Sequence, residues 1–132
     1  MIRGCILRRW TFIDRTLFIS DLDGTLMNSD AAVSEKTVKT INSFIKGGGY
    51  FTFATARSIY SAVPKTAEMD ISVPCILMNG VSIYDIKNEQ YVKNEFIDPA
   101  ASAGVLRAFE KHGVHCFMYR IDKGILTCYY SE

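Results

Sequence analysis

The sequence predicts an α/β fold in which a mainly parallel sheet is flanked by helices. Two observations carry this prediction. Short apolar runs alternate with helix-like segments between residues 16 and 78, and three of these runs end abruptly in polar residues. Such an alternation is typical of β-α-β units, whose successive strands lie parallel. Because parallel strands end at one edge of their sheet, we expect these polar ends to meet.

The first half of the chain contains three predicted strands and two predicted helices. The strands comprise residues 16–20, 50–54 and 74–78, which are short and apolar. Ser34 is a suitable N-cap for the first helix, and Val38, Ile41 and Ile45 recur at helical spacing along one face. Three glycines, residues 47–49, end it. A second helix is expected between residues 58 and 69.

The pattern changes in the second half of the chain. Residues 81–85 and 90–96 flank a polar turn and are predicted to form a hairpin. Asp98 and Pro99 begin a helix that Gly113 ends, and residues 114–121 and 125–130 form a second hairpin. This α-β-β order departs from the earlier alternation and predicts a domain boundary near residue 97.

Composition excludes several classes of protein. The chain has 132 residues, of which 48% are apolar and 22% charged, as in an ordinary globular domain. A net charge of +1 offers no bulk attraction to nucleic acid or to a membrane, so neither is expected as a partner. Four widely spaced cysteines without a C-x-x-C pair indicate a reducing compartment, and we expect a cytoplasmic protein. Residues 1–15 form a basic leader with a net charge of +3. We expect a non-functional leader or an upstream start, and a real extra element is the alternative; the arginine-rich, acid-poor composition is also compatible with a transit peptide.

The candidate chemistry begins where the first strand ends, at Asp21 and Asp23. One aspartate of such a pair can act as nucleophile or metal ligand, and the other as general acid and base. Gly24 allows backbone amides to approach a phosphate closely. Taken alone, the pair is also compatible with an ordinary turn in which aspartate caps the chain.

The surrounding residues reduce this ambiguity. Residues 18–26, FISDLDGTL, closely resemble the first motif of the haloacid dehalogenase (HAD) superfamily of phosphotransferases. Residues 53–58 resemble its second motif, with Ala56 in place of the usual glycine, and residues 76–81 resemble an Asn-Gly-Ala segment of the Cof-type phosphatase branch. The resemblance implies that residues 16–96 are the N-terminal part of a Rossmann-like HAD core and that residues 97–132 begin an α/β cap.

The resemblance also implies a mechanism. Asp21 would attack phosphorus and form an aspartyl-phosphate. Asp23 would protonate the leaving oxygen and then activate the water that hydrolyses the intermediate. A Mg²⁺ cofactor would bind the Asp21 carboxylate and the Asp23 backbone carbonyl, since both are hard oxygen ligands.

Further positions are assigned by the same resemblance. Thr55 and Asn79 would bind the phosphoryl group together with the backbone amides near Leu22 and Gly24. Arg57 is a candidate for the side of the site that holds the rest of the substrate. Each of these three residues also has an ordinary structural interpretation. Thr55 could cap a helix, Asn79 could belong to a simple turn, and Arg57 could lie at the surface. The implied substrate is a small phosphorylated metabolite such as a sugar phosphate.

Two elements of the family pattern are not found in the sequence. No lysine stands where the third motif is expected, and no Gly-Asp dipeptide of the fourth motif is present. We therefore expect an incomplete and inactive part of a phosphatase. The alternatives are a non-catalytic module that oligomerises or binds a partner, and a domain in which Asp21 is phosphorylated and slowly hydrolysed. A sheet edge or face left open by truncation would favour a homo-oligomer.

Overall fold

The computed structural model describes residues 16–130, so the predicted basic leader at residues 1–15 lies outside the described part. The chain divides between Val92 and Lys93 into two compact units. The assignment of the first to an HAD core and of the second to the start of a cap remains a prediction. No helix among the described residues is long and apolar enough to cross a membrane.

The first unit is built on a five-stranded sheet in the order β1-β2-β3-β4-β5. The strands are β1 (Leu17–Asp21), β2 (Tyr50–Ala54), β3 (Cys75–Leu77), β4 (Ser82–Asp85) and β5 (Gln90–Asn94). β1 pairs parallel with β2, β2 pairs parallel with β3, and β3 pairs antiparallel with β4. The predicted parallel arrangement is therefore confirmed, and the carboxyl ends of β1, β2 and β3 meet at one edge.

Helix α1 (Glu35–Lys46) connects β1 to β2 and begins at the predicted cap. The Ser34 hydroxyl accepts a hydrogen bond from the Thr37 amide at 3.2 Å, which satisfies one donor of the first turn. The Phe44 ring packs edge-on against Phe18 with centroids 5.3 Å apart. A Cβ added to Gly49 would lie 2.1 Å from the Phe44 ring, so any other residue at this position would displace that ring.

The predicted second helix is shorter than expected. Regular helix α2 covers Ile59–Ala62 only, and a 3-10 turn follows over Val63–Thr66. Pro64 explains the change, since it lacks an amide proton and its ring clashes with the carbonyl four residues before it. Ala62 and Thr66 remain buried, so the segment still packs on the core after the regular helix ends.

The core of the first unit lies between the sheet and these helices. Its fully buried side chains include Phe53 on β2 and Cys75 and Leu77 on β3. Val38 and Ile41 supply the apolar face of α1, which confirms the periodicity read from the sequence. β1 is different, because Leu17, Phe18 and Ile19 are 49%, 45% and 50% exposed.

The second unit contains helix α3 (Pro99–His112) and the hairpin of β6 (Phe117–Asp122) and β7 (Ile125–Tyr130). The Asp98 carboxylate accepts bonds from the Ala100 and Ala101 amides at 2.9 and 3.1 Å, and Gly113 ends the helix with φ +61°. Lys123 and Gly124 form the hairpin turn, both with positive φ, as a type I′ turn requires. The predicted α-β-β order is confirmed.

Candidate active site

The polar residues that follow β1, β2 and β3 surround one cavity of about 550 Å³. Asp21 and Asp23 line it from the segment after β1, Thr55 from the end of β2, and Asn79 from the turn after β3. The cavity is also lined by Ala54, Ala56, Ile76 and Gly80. The parallel register predicts this convergence, since the three strands end at the same edge of the sheet.

Asp21 is the last residue of β1 and its side chain lines the cavity. Its Oδ1 accepts a hydrogen bond from the Leu22 amide at 2.7 Å, which fixes the carboxylate against its own backbone. The residue is exposed, so a ligand in the cavity can reach the carboxylate oxygens.

The segment Leu22–Leu26 forms a single wide turn, closed by a hydrogen bond from the Met27 amide to the Leu22 carbonyl at 2.9 Å. The Leu22 side chain is completely buried and anchors the turn in the core between the two aspartates. Gly24 has φ +71°, a left-handed conformation that glycine adopts without steric cost. One buried side chain and one glycine thus hold Asp21 and Asp23 on the same side of the turn.

Thr55 and the turn after β3 are joined through the backbone. The Asn79 amide donates to the Thr55 carbonyl at 3.0 Å, and the Met78 amide donates to the Arg57 carbonyl at 3.1 Å. The Thr55 hydroxyl accepts the Arg57 amide at 3.2 Å, so it acts as a local cap. The two loops therefore form one connected rim of the cavity.

The turn after β3 has an uncommon backbone. Met78, Asn79 and Gly80 have φ values of +52°, +57° and +92°. Asparagine and glycine tolerate the left-handed region, but methionine does so at a steric cost. Strain of this kind is concentrated at functional sites, where the surrounding structure holds the backbone in place. Here the bonds to Thr55 and Arg57 supply that restraint.

Asp23 is held by a bidentate ion pair with Arg57. The guanidinium Nε and Nη2 donate to the two carboxylate oxygens at 2.8 and 2.6 Å. The hydrogen bond from Arg57 is the main cause of the lowered pKa of the Asp23 carboxyl, with a smaller contribution from the charge of Lys65. The pKa of Arg57 is raised by the same hydrogen bond. The pair therefore favours the ionised form of Asp23.

Lys65 is a cation that the sequence reasoning did not single out. Its ammonium group donates to the Ala31 carbonyl at 3.0 Å, and its charge lowers the pKa of Asp23. The residue lies in the 3-10 turn after α2, outside the three motifs. No local pattern marks it, because only the tertiary fold brings this turn near the aspartates.

The structure brings most of the predicted site residues together. Asp21, Asp23, Thr55 and Asn79 line the cavity. Leu22 serves the site through its backbone, since its side chain belongs to the core. Arg57, predicted for the substrate side, is bound to Asp23. Ala56 lines the cavity without a positive φ, so alanine replaces the usual glycine without strain.

The oxygen donors around the cavity suit a hard divalent metal ion. Within residues 16–130, no three histidine, cysteine or acidic side chains lie close enough together to hold a metal ion. The Asp21 carboxylate and the Asp23 carbonyl remain, and both are hard oxygen donors. Mg²⁺ commonly takes one or two carboxylates and completes its shell with water and substrate phosphate. The donor types fit Mg²⁺, with two protein oxygens available.

Comparison with known proteins agrees with this geometry. A family model for haloacid dehalogenase-like hydrolases matches residues 18–130. A 5-amino-6-(5-phospho-D-ribitylamino)uracil phosphatase from Bacillus subtilis is 29% identical over 117 residues, which are 88% of this chain and 43% of the relative. A solved structure from Thermotoga maritima has a TM-score of 0.68 at 26% identity and is matched over 86% of this chain and 41% of its own.

A sugar phosphatase of HAD subclass IIB shares the fold, with a TM-score of 0.62 at 19% identity over 86% of this chain and 43% of its own. The chain thus spans about two fifths of the length of these relatives. The predicted resemblance to the superfamily and to its Cof-type phosphatase branch is confirmed. With the motifs at three strand ends and a family match across nearly all described residues, the chain belongs to the haloacid dehalogenase-like hydrolases.

Proposed function

We propose that this chain carries the nucleophilic half of a Mg²⁺-dependent phosphatase site that acts on small phosphorylated metabolites. The observation that carries the proposal is the convergence of Asp21, Asp23, Thr55 and Asn79 on one cavity at the carboxyl edge of the sheet. The substrate class is taken from the relatives, one a phosphatase of a phosphoribitylamino compound and another a sugar phosphatase.

In this proposal Asp21 is the nucleophile. One carboxylate oxygen forms a bond to phosphorus while the bond to the leaving oxygen breaks, which gives an aspartyl-phosphate. The Leu22 amide on Asp21 Oδ1 orients the carboxylate and leaves the other oxygen available for attack. Thr55 and Asn79 bind phosphoryl oxygens from the opposite rim. Positioning and charge neutralisation supply most of the catalysis in phosphoryl transfer.

Asp23 is proposed to move the protons. It donates one to the leaving oxygen and later takes one from the water that attacks phosphorus and releases Asp21. The ion pair with Arg57 opposes the first of these steps, because it stabilises the ionised carboxyl. An anionic substrate that draws Arg57 away would therefore prepare Asp23 to act as an acid. This keeps Arg57 on the substrate side, with Asp23 as its partner before substrate binds.

Bound Mg²⁺ would offset the negative charge of the phosphate against that of Asp21. The Asp21 carboxylate and the Asp23 carbonyl would hold it. Among the described residues, the cavity is lined by two carboxylates and by no lysine. We therefore propose that turnover by this chain alone is very low, since charge on the transferring group is poorly neutralised.

Hydrolysis of p-nitrophenyl phosphate with and without Mg²⁺ tests the assignment, applied to the present chain and to a full-length protein that contains it. In the longer protein we expect Mg²⁺-dependent turnover that falls by more than about 10³-fold in Asp21→Asn, because the nucleophile is lost, and the present chain alone should show very low turnover with or without Mg²⁺. The matched control Asp70→Asn removes the same charge from an exposed position away from the cavity and should retain full activity. Turnover that survives Asp21→Asn would contradict the proposal.

A second candidate is a phospho-acceptor domain, favoured by the Arg57–Asp23 ion pair. If Arg57 keeps Asp23 from activating water, the aspartyl-phosphate persists. Incubation with acetyl phosphate followed by intact mass measurement would then reveal an adduct of one phosphoryl group, absent in Asp21→Asn. Rapid loss of the adduct in the wild-type chain would favour the phosphatase.

We also propose a cellular setting for the chain. Cys75 and Cys128 form no disulfide in the described part of the chain, in keeping with a reducing compartment such as the cytoplasm. A small-molecule substrate remains the proposed partner, with neither nucleic acid nor membrane involved. A non-catalytic module that self-associates is the remaining alternative.

A further inference from the structure

Two basic side chains join the stretch that follows β1 to the stretch that follows β2. Arg57 donates to the Asp23 carboxylate at 2.8 and 2.6 Å, and Lys65 donates to the Ala31 carbonyl at 3.0 Å. Each link crosses 34 residues of sequence. The two links therefore lie side by side between the same two stretches of chain, residues 23–31 and residues 57–65.

The loop at residues 28–32, which Lys65 contacts, is closed on itself. The Asn28 amide donates to the Ala32 carbonyl at 2.9 Å, and the Asn28 side-chain oxygen accepts the Ala32 amide at 3.1 Å. A bridge between Met27 and Val33 joins the two ends of the loop. Because these bonds fix the loop internally, it behaves as one body whose position depends on contacts with other parts of the chain.

The residue that Lys65 contacts has a strained backbone. Ala31 has φ +53°, a left-handed conformation that is unfavourable for a residue with a Cβ. Its amide donates to the Asn28 carbonyl at 3.0 Å within the loop, and its carbonyl accepts the bond from Lys65. Strained residues persist where the surrounding structure holds them in place. Lys65 supplies such a restraint from outside the loop.

The two links differ in how readily a substrate can break them. The Asp23 side chain is 52% exposed, and ion pairs open to solvent are weak and easily exchanged. In the proposed function an anionic substrate draws Arg57 away from Asp23. Lys65 instead binds a neutral backbone carbonyl that takes no part in the proposed chemistry. Its link therefore remains when the ion pair opens.

We propose that Lys65 is a positioning residue that keeps the stretch carrying Asp23 in place while Arg57 turns to the substrate, an inference that rests on the proposed function. Proton transfer requires Asp23 to lie within hydrogen-bond reach of the leaving oxygen. A misplacement of about 1 Å can lower a rate by ~10²-fold. Lys65 acts on this step through the loop and the wide turn before it, so its loss should lower kcat more than it changes KM.

Backbone NMR relaxation of the present chain tests the link without any turnover. Arg57→Gln imitates the release of Asp23, and Lys65→Met removes the second link with a side chain of similar length. We expect the amide order parameters of Asp23, Gly24 and Ala31 to stay near ~0.85 in each single variant and to fall below ~0.6 in the double variant. A double variant no more mobile than Arg57→Gln would overturn the proposal.

Kinetics of the longer protein test the role in catalysis. With p-nitrophenyl phosphate, Lys65→Met should lower kcat by about tenfold and change KM by less than about twofold. Lys65→Arg keeps a cationic donor and should recover most of kcat. Lys36→Met removes the same charge from an exposed position on α1 that does not line the cavity, and should match the wild-type protein.

Two kinetic outcomes would contradict the positioning role. A raised KM with unchanged kcat would show that Lys65 binds the substrate itself. Equal effects of Lys65→Met and Lys36→Met would show that the link has no role in the reaction. If the wild-type protein has no Mg²⁺-dependent turnover, the proposed function fails, and the mobility of the double variant still decides whether Lys65 holds the loop.

Discussion

Replacing Leu22 with alanine tests whether the core holds the two aspartates in place. Leu22 stands between Asp21 and Asp23, and its side chain is 0% exposed. Leucine-to-alanine substitutions at such positions cost about 2–5 kcal/mol, because transfer energy is lost and a cavity remains. For a chain of this size, whose total stability is of the order of 5–15 kcal/mol, that is a large share.

Urea unfolding followed by circular dichroism measures the effect. With a slope of about 2 kcal/mol per molar urea, a loss of ~3 kcal/mol lowers the midpoint by ~1.5 M. Val92→Ala is the control, because Val92 is 57% exposed. Removing its two methyl groups from a half-buried position should cost about 0.7 kcal/mol. Equal midpoint shifts in the two variants would refute the view that Leu22 anchors the turn.

Two further predictions concern the ion pair at the site and the end of α3. In Arg57→Gln the pKa of Asp23 should rise toward its usual value, as followed by carbon NMR of the carboxyl group. Because the pKa of Asp23 is lower in the folded chain, the ion pair stabilises the fold at pH values above the unfolded-state pKa of ~3.9. This stabilisation is lost as the pH falls through the folded-state pKa. Arg57→Gln should therefore lose less stability on acidification below pH ~4 than the wild-type chain, and an unchanged Asp23 titration would contradict the assignment. In α3, Gly113→Ala forces alanine into φ +61° and should cost about 1 kcal/mol, whereas Gly104→Ala meets no atom within 4 Å and should stabilise the helix by ~0.5–1 kcal/mol. In thermal unfolding followed by circular dichroism, the melting temperature should fall in Gly113→Ala and rise in Gly104→Ala. Shifts of the same sign in the two variants would disprove the conformational argument.

Local sequence rules were sufficient to predict most of the helices and strands. Ser34 and Asp98 cap their helices as predicted, because the cap depends on side-chain oxygens within three residues of the amides they bind. Gly113 ends α3 for an equally local reason, its left-handed φ. The second helix was predicted too long, because the regular helix ends at Ala62 and Pro64 belongs to the 3-10 turn that follows.

The candidate site also has a part that could be predicted from the sequence and a part that could not. Asp21, Asp23, Thr55 and Asn79 could be predicted to meet, since each follows a strand and parallel strands end at one edge. The partner of Arg57 could not be predicted, because Asp23 is 34 residues away in sequence. Lys65 lowers the pKa of Asp23 through its charge, which depends on the folded distance between them, and no sequence motif marks this lysine.

The sequence by itself determined the order of strands and helices, the family and the residues that carry the chemistry, because these depend on periodicity, caps and contiguous motifs. Only the tertiary structure decided that Arg57 holds the Asp23 carboxylate and that, among the described strands, β1 lies at the end of the sheet with half-exposed side chains. An apolar run is the same in sequence whether its strand is central or at an edge. Which of the two it becomes depends on which other strands pair with it.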